Sequence, residues 1–194
     1  MFTIEMLPAA HGDCLWIAYG SVRNRRRILI DVGVAGTDRA LRQRIADAGE
    51  SCEIELFVVS HCDADHIEGA IGLLKRPPRG VTFKDVWFNG WRHLPAGPRR
   101  RLGGVQGEML STLLCDLGLP WNRAFAGGAA AIIDELPSCP LADGMKLTLL
   151  SPTLEELRRL RPKWQQECAK KSVVPGSVES GREALERHGR RLGE

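Results

Sequence analysis

The order of apolar and polar residues along the chain predicts short strands interleaved with amphipathic helices. Continuous or alternating apolar runs predict strands at 2–7, 14–19, 27–32, 54–59, 81–88 and 146–150. Apolar residues at helical spacing predict helices at 37–48, 67–75 and 105–117, and one that begins after 151–153 and runs at least to residue 160. The link at 20–26 is short and polar, which indicates an antiparallel hairpin between the second and third strands. Residues 95–104, rich in Gly, Pro and Arg, predict an exposed loop.

Composition is consistent with a single folded domain. The chain has 194 residues, of which 43% are hydrophobic and 26% are charged, enough apolar content for a sizeable core. From about residue 170 the apolar periodicity stops, so we predict a domain at 1–169 followed by a linker or disordered tail at 170–194. A net charge of +3 does not by itself indicate nucleic-acid binding.

Targeting signals and cysteine usage both favour a cytoplasmic protein without a membrane partner. No apolar run approaches the roughly 18 residues of a membrane span, and the first residues lack the basic and apolar regions of a signal peptide. The six cysteines are scattered, form no C-x-x-C pair and fall partly inside apolar runs. This usage is typical of reduced thiols that pack as small hydrophobes.

The strongest chemical signal follows the apolar run at 54–59, in the loop that contains His61, Asp63, Asp65 and His66. Alternate side chains of an extended segment share one side, so the first three can point together. The positive end of the following helix disfavours imidazolium at His66 and keeps that ring neutral as a ligand. Imidazole and carboxylate together suit zinc, manganese or iron, and such a metal can lower the pKa of bound water to about 7. The alternative is an ordinary polar loop, which the position directly after a buried strand disfavours.

The segment 61–66 resembles the H-x-[HD]-x-D-H signature of the metallo-β-lactamase-fold hydrolases. The aspartate at its third position is similar to the variant found in the nuclease-like domain of competence DNA-uptake proteins. Two flanking segments agree, since 11–17 (HGDCLWI) resembles that subgroup's Gly-Asp strand start and 28–33 (ILIDVG) resembles its L-I-D-x-G strand. The resemblance covers residues 2–76 well and is consistent with 81–162, where specific motifs are few.

This resemblance implies an α/β (α+β) fold of the αββα sandwich type, with one or two zinc ions at the sheet edge and manganese or iron as alternatives. His61 and Asp63 would bind one ion, and Asp65 and His66 the other. Asp65 would also act in catalysis by orienting the attacking water. Further residues would support these ligands from behind: Asp31, Asp13 and His11.

The same resemblance implies ligands that the chain lacks. A complete site needs a Gly-Asp after a later strand and a later histidine, often in a His-His-Gly segment. After residue 150 there is only His188, in a polar context that follows no strand. His93, after the strand at 81–88, is the better candidate for an extra ligand, the alternative being a loop histidine beside two tryptophans. The chain therefore resembles the N-terminal half of the sandwich, with a mixed sheet and flanking helices.

Two functions from different classes follow. The first is a metal-dependent hydrolase that uses a metal-activated water on phosphodiester or nucleic-acid substrates. The second is a truncated or split half-domain, inactive alone, because half a sandwich exposes one sheet face and an unpaired edge. That surface would self-associate or bind a second chain that supplies the missing ligands. A redox di-iron protein on the same fold is a third alternative, which no motif favours.

Overall fold

The computed structural model describes residues 1–96 and 104–192, so most of the predicted loop at 95–104 lies outside the described residues. Its strands are β1 (Phe2–Met6), β2 (Leu15–Gly20), β3 (Arg25–Ile30), β4 (Cys52–Ile54), β5 (Leu56–Val58), β6 (Val81–Phe83), β7 (Val86–Trp87), β8 (Ser138–Pro140) and β9 (Lys146–Thr148). Its α-helices are α1 (Asp38–Ala46), α2 (Ala64–Lys75), α3 (Gly104–Asp116), α4 (Leu154–Lys170) and α5 (Val178–Leu192). Within these residues, no helix is both long and apolar enough to cross a membrane.

The main sheet is mixed, with the strand order β1-β2-β3-β5-β7. The first three strands are antiparallel neighbours, which confirms the hairpin predicted around residues 20–26. β3, β5 and β7 run parallel, so the segments that follow these strands emerge at one edge. This mixed sheet with its helices confirms the predicted α/β (α+β) class.

The apolar runs at 54–59 and 81–88 are each predicted as one strand, but each is divided in two: the first into β4 and β5, the second into β6 and β7. The run at 54–59 changes partner at Glu55, so that β4 pairs with β6 in a small parallel ladder while β5 enters the main sheet. Glu55 is 8% exposed, and its carboxylate accepts a 2.8 Å hydrogen bond from the Tyr19 hydroxyl. A buried, bonded carboxylate in the middle of an apolar run therefore marks where the strand leaves one ladder for the other.

Alternate residues of the sheet enter different apolar clusters, as the period of a strand requires. Leu29 and Phe57 belong to the large core under α1, α2 and α3, whereas their neighbours Ile28 and Leu56 join a smaller cluster. Cys139 of β8 belongs to that smaller cluster, and Leu147 of β9 packs against it. The β8–β9 hairpin thus covers only part of the second face of the sheet.

Residues 178–192 form α5, where the sequence predicts a linker or disordered tail. The helix packs against α3, with Ala184 4% exposed and Ser180 8% exposed. A Cβ at Gly181 would lie 1.9 Å from Thr112 Oγ1, so the helices approach closely at this glycine. The buried face of α5 is built largely from small residues, and it therefore lacks the large apolar period by which a packed helix is recognised in sequence.

Candidate metal centre

The candidate site lies at the carboxyl edge of the parallel strands. Asp31 directly follows β3, and Ser60 and His61 follow β5 across a single residue. His66 lies in the first turn of α2, which starts at Ala64. Single ligand atoms of Asp31, His61 and His66 all lie within 4.8 Å of one another, and this is the one such group of three or more among the described residues.

Asp31 is the fixed point of this site. It is 2% exposed and adopts a left-handed backbone conformation with φ 54°. Its Oδ1 accepts a hydrogen bond from the Ser60 backbone N–H at 2.8 Å, and its Oδ2 accepts from the Ser60 hydroxyl at 2.5 Å. The Nδ1 atom of His66 lies 2.9 Å from the same Oδ2. A non-glycine residue held at positive φ is strained, and such strain concentrates at functional positions.

The hydrogen bonds around Asp31 define the tautomers of both histidines. The ionised carboxylate can only accept, so His66 donates its Nδ1–H to Asp31. The Ser60 hydroxyl donates its one hydrogen to Asp31, so its oxygen can only accept, and it accepts from His61 Nδ1 at 2.8 Å. When each ring is neutral, its hydrogen therefore lies on Nδ1 and its Nε2 is free, which is the state in which histidine binds a metal.

The two Nε2 atoms face the aspartates of the loop. His61 Nε2 lies 3.8 Å from Asp63 Oδ2, and His66 Nε2 lies 3.6 Å from Asp65 Oδ2. Both distances exceed a hydrogen bond, and the two rings have their centroids 3.9 Å apart. Asp63 thus lies near His61 and Asp65 near His66, but neither aspartate belongs to the group of Asp31, His61 and His66 whose ligand atoms lie close together among the described residues. The two ligand pairs that the sequence resemblance implies stay a prediction.

The start of α2 explains why the Asp65 carboxylate lies on the same side of the loop as the histidines. Asp63 precedes the first residue of α2 in an extended conformation, and its backbone oxygen accepts from the N–H groups of His66 and Ile67. Asp65 therefore sits in the first helical turn, where the helix dipole favours a carboxylate. The prediction that 61, 63 and 65 share one side assumed an extended segment, but the extended part ends at Asp63.

The turn that carries His11 and Asp13 touches the site through its backbone. Gly12 has φ +74°, and a Cβ there would lie 1.8 Å from the backbone oxygen of Asp65. The side chains of His11 and Asp13 are exposed and form no hydrogen bond to another described residue. The predicted support of the ligands therefore comes from Asp31 and from the closely packed backbone at Gly12, not from side chains of this turn.

His93 does not belong to the group of close ligand atoms found among the described residues. It is 7% exposed, and its Nδ1 accepts a hydrogen bond from Gly90 N–H at 3.1 Å. The Arg92 Nε lies 3.0 Å from the other ring nitrogen, and the ring packs edge-on against Trp121. Burial, together with the neighbouring Arg92 charge, lowers the pKa of His93 to about 4. Both ring nitrogens of His93 thus lie near a protein partner, and its role as an extra ligand stays a prediction.

Cys62 and His188 do not add ligands to the group either. Cys62 is 4% exposed within the large core, and burial raises the pKa of its thiol to about 12. The thiol therefore packs as part of the core. His188 lies on α5 and is absent from the ligand group of the described residues.

A cleft of about 500 Å³ opens beside His61. Its walls are the loop Ser60–Cys62, the residues after β7, the turn at Pro152 and one side of α4. Clefts of this size commonly bind small molecules. His61 thus borders a space that can hold a small molecule, whereas Asp63, Asp65 and His66 are not among the residues that line it.

Ser60 is the functional residue to which the sequence analysis assigned no role. Its hydroxyl joins Asp31 to His61, whereas its position in the chain shows only a small polar residue before a histidine. The sequence gives one weak indication of this role, because Ser60 carries a hydroxyl group, follows a strand and directly precedes the candidate ligand His61.

Comparison with known proteins does not assign a family. No protein-family model matches the sequence, and no curated protein matches it.

Proposed function

We propose that this chain is a metal-dependent hydrolase in which His61, Asp63, Asp65 and His66 hold one or two divalent cations. The observation that carries this proposal is that the contacts at Nδ1 leave the Nε2 atom of each neutral histidine free, facing an aspartate at 3.8 Å or 3.6 Å. A buried carboxylate sets both ring tautomers, directly at His66 and through Ser60 at His61. Fixed histidines with a carboxylate behind them are typical of metal sites.

The donor set fits a borderline metal such as zinc, with manganese or iron as alternatives, because it combines imidazole nitrogen with carboxylate oxygen. When bound, such a cation supplies a Lewis acid and a water of lowered pKa. Asp65, on the solvent side with 45% of its side chain exposed, is placed to accept a proton from a water and to orient it. Asp31 and Ser60 hold the two imidazoles against rotation. We propose esters, and phosphodiesters in particular, as the substrates, in line with the sequence resemblance.

The finer fold assignment belongs to the same proposal. The mixed sheet, with helices on one face and a small hairpin on part of the other, is consistent with the N-terminal half of an αββα sandwich. Among the described residues, no further carboxylate or histidine joins the group of Asp31, His61 and His66, so the bridging carboxylate and later histidine that the resemblance implies have no counterpart in that group.

Metal binding tests the proposal first. The purified chain should take up zinc or manganese in near-stoichiometric amount, measured by equilibrium dialysis and elemental analysis. The double variant His61→Ala/His66→Ala should lose that metal, while His188→Ala, a histidine outside the ligand group, should retain it. Hydrolysis of bis(para-nitrophenyl) phosphate should follow the metal content. A wild-type chain that binds no metal at neutral pH would refute the proposal.

A second function, a half-domain that acts with a partner, is favoured by one specific observation. The β1 side chains Phe2, Ile4 and Met6 are 57%, 58% and 75% exposed on the outermost strand of the sheet. Their cross-strand partners Tyr19, Ile17 and Leu15 are apolar or aromatic too. An exposed apolar strip on an edge strand is typical of a surface that pairs with another chain.

Self-association provides the test of this second function. The double variant Ile4→Lys/Met6→Lys should sediment as a monomer at concentrations where the wild-type chain associates. If wild-type and variant chains are both monomeric over the whole concentration range, the surface is not a self-association site. Metal content should be equal in the two, because β1 does not carry a candidate ligand.

A further inference from the structure

The cleft beside His61 contains a positive charge, that of Lys163, which has no role in the candidate metal centre. Lys163 projects from α4 into this cleft, and it is half-buried. No carboxylate of the described residues lies within 4.0 Å of its ammonium group, although most other basic residues of α4 have such a partner or a carbonyl. A half-buried ammonium without a counter-ion is electrostatically available to a ligand.

The other charges of the cleft are engaged within the protein. The carboxylate of Glu156 accepts from the Thr153 backbone N–H at 2.6 Å and from its hydroxyl at 2.9 Å, closing the capping box of α4. Arg159 is 72% exposed and pairs with Glu155 at 3.3 Å. Lys163 is therefore the cation of the cleft lining that has no ion-pair partner among the described residues, and it lies close enough to Cys62 to act on its thiol electrostatically.

Between Lys163 and His61 the wall of the cleft is apolar. Leu157 is 4% exposed, and Pro152 and Leu160 are half-buried on the same wall. This surface suits a compact hydrophobic group. A volume of about 500 Å³ suits a small molecule.

We propose that this cleft binds the apolar group of a small anionic ester, and that Lys163 pairs with the negative charge of that substrate. The assignment rests on the proposed hydrolase function and narrows its substrates to small aryl or alkyl phosphate esters. Lys163 is then a specificity-determining residue, which selects anionic esters over neutral ones. Leu160 and Pro152 select the apolar substituent.

Paired substrates test this proposal on the metal-loaded chain. Lys163→Gln should raise KM for the anionic bis(para-nitrophenyl) phosphate by roughly fivefold to tenfold, as expected for loss of a partly desolvated charge pair. Its kcat/KM for neutral para-nitrophenyl acetate should stay within about twofold of wild type. Lys170→Gln is the matched control, since Lys170 lies on the same helix but pairs with Glu167. Equal losses on both esters, or none, would overturn the proposal, as would preferred cleavage of duplex DNA.

A binding measurement separates this proposal from the proposed hydrolase function. Isothermal titration of phenylphosphonate, which is not hydrolysed, should show weaker binding to Lys163→Gln than to wild type and to Lys170→Gln. Inorganic phosphate should bind more weakly than phenylphosphonate, because it cannot use the apolar wall. If hydrolysis is absent but this pattern holds, the hydrolase proposal fails and the cleft assignment stands as a binding site. If hydrolysis occurs but Lys163→Gln binds phenylphosphonate like wild type, the cleft assignment fails alone.

Discussion

The Nδ1 atom of His66 lies 2.9 Å from a carboxylate oxygen of Asp31, a residue that precedes it by 35 positions. The same oxygen accepts from Ser60, whose hydroxyl in turn contacts His61. One buried carboxylate therefore orients two imidazoles, that of His61 in the loop after β5 and that of His66 in the first turn of α2. This relationship makes Asp31 a positioning residue, which acts on a metal through the histidines.

Asp31→Asn should weaken metal affinity by roughly 10- to 100-fold while leaving the fold intact. Asparagine has the shape of aspartate and tolerates the left-handed backbone. It removes the negative charge that stabilises the two N–H donors, the Ser60 backbone N–H and His66 Nδ1–H. The dissociation constant for zinc, measured by competition with a chelator, checks this. Asp134→Asn, at an exposed position, is the control and should bind zinc like wild type. Nitrogen-15 shifts of His66 should also report a changed tautomer balance, which a purely structural role would not produce.

Gly12→Ala should destabilise the chain by about 3 kcal/mol or more and should also impair metal binding. The new Cβ would lie 1.8 Å from the backbone oxygen of Asp65, so either the turn or the start of α2 must move. Gly36→Ala is the matched control, because Gly36 has φ +82° but no atom within 4 Å of the new Cβ. Urea denaturation should show a loss of about 1 kcal/mol for Gly36→Ala. Similar losses for both variants would mean that backbone conformation, and not the contact with Asp65, decides the effect.

His93 should make folding stability depend on pH between about 6.5 and 4. Its pKa is lowered from 6.5 to about 4 in the folded chain, so the unfolded chain binds a proton first as pH falls. The stabilisation is present above pH 6.5 and is lost progressively towards pH 4, by up to about 3 kcal/mol.

His93→Gln removes this titration but can still accept the Gly90 N–H bond. The difference in free energy of unfolding between wild type and variant should therefore shrink as pH falls from 7.5 to 5, because all other groups titrate in both chains. A difference independent of pH would contradict the lowered pKa.

Sequence alone predicts the local part of the site and misses the part that depends on distant contacts. The four candidate ligands span 61–66, so strand-exit and helix-start rules suffice to bring them together. The role of Ser60 depends on Asp31, which reaches it from a neighbouring strand, and spacing along the chain does not show that. The packing of α5 was missed for a related reason, since contact through Gly181 is recognisable only when α3 is placed opposite. The position of His93 after a strand suggests a ligand, whereas its burial and its edge-on contact with Trp121 depend on the fold and do not show in the spacing along the chain.

Glu108→Ala should be among the most destabilising substitutions of a polar residue in the helical layer, at about 2 to 4 kcal/mol. Glu108 of α3 is 2% exposed, and its two carboxylate oxygens accept from Trp164 Nε1 at 2.6 Å and from Gly176 N–H at 2.9 Å. It thereby ties α3 to α4 and to the segment that leads into α5. Alanine would leave both donors without this acceptor, and the Trp164 donor is fully buried. Glu108→Gln keeps one acceptor and removes a charge whose pKa is raised by burial, so it should cost less than alanine at neutral pH. Urea denaturation of the two variants at pH 7 distinguishes them, and an equal loss would show that the charge itself, not the paired donors, holds these helices together.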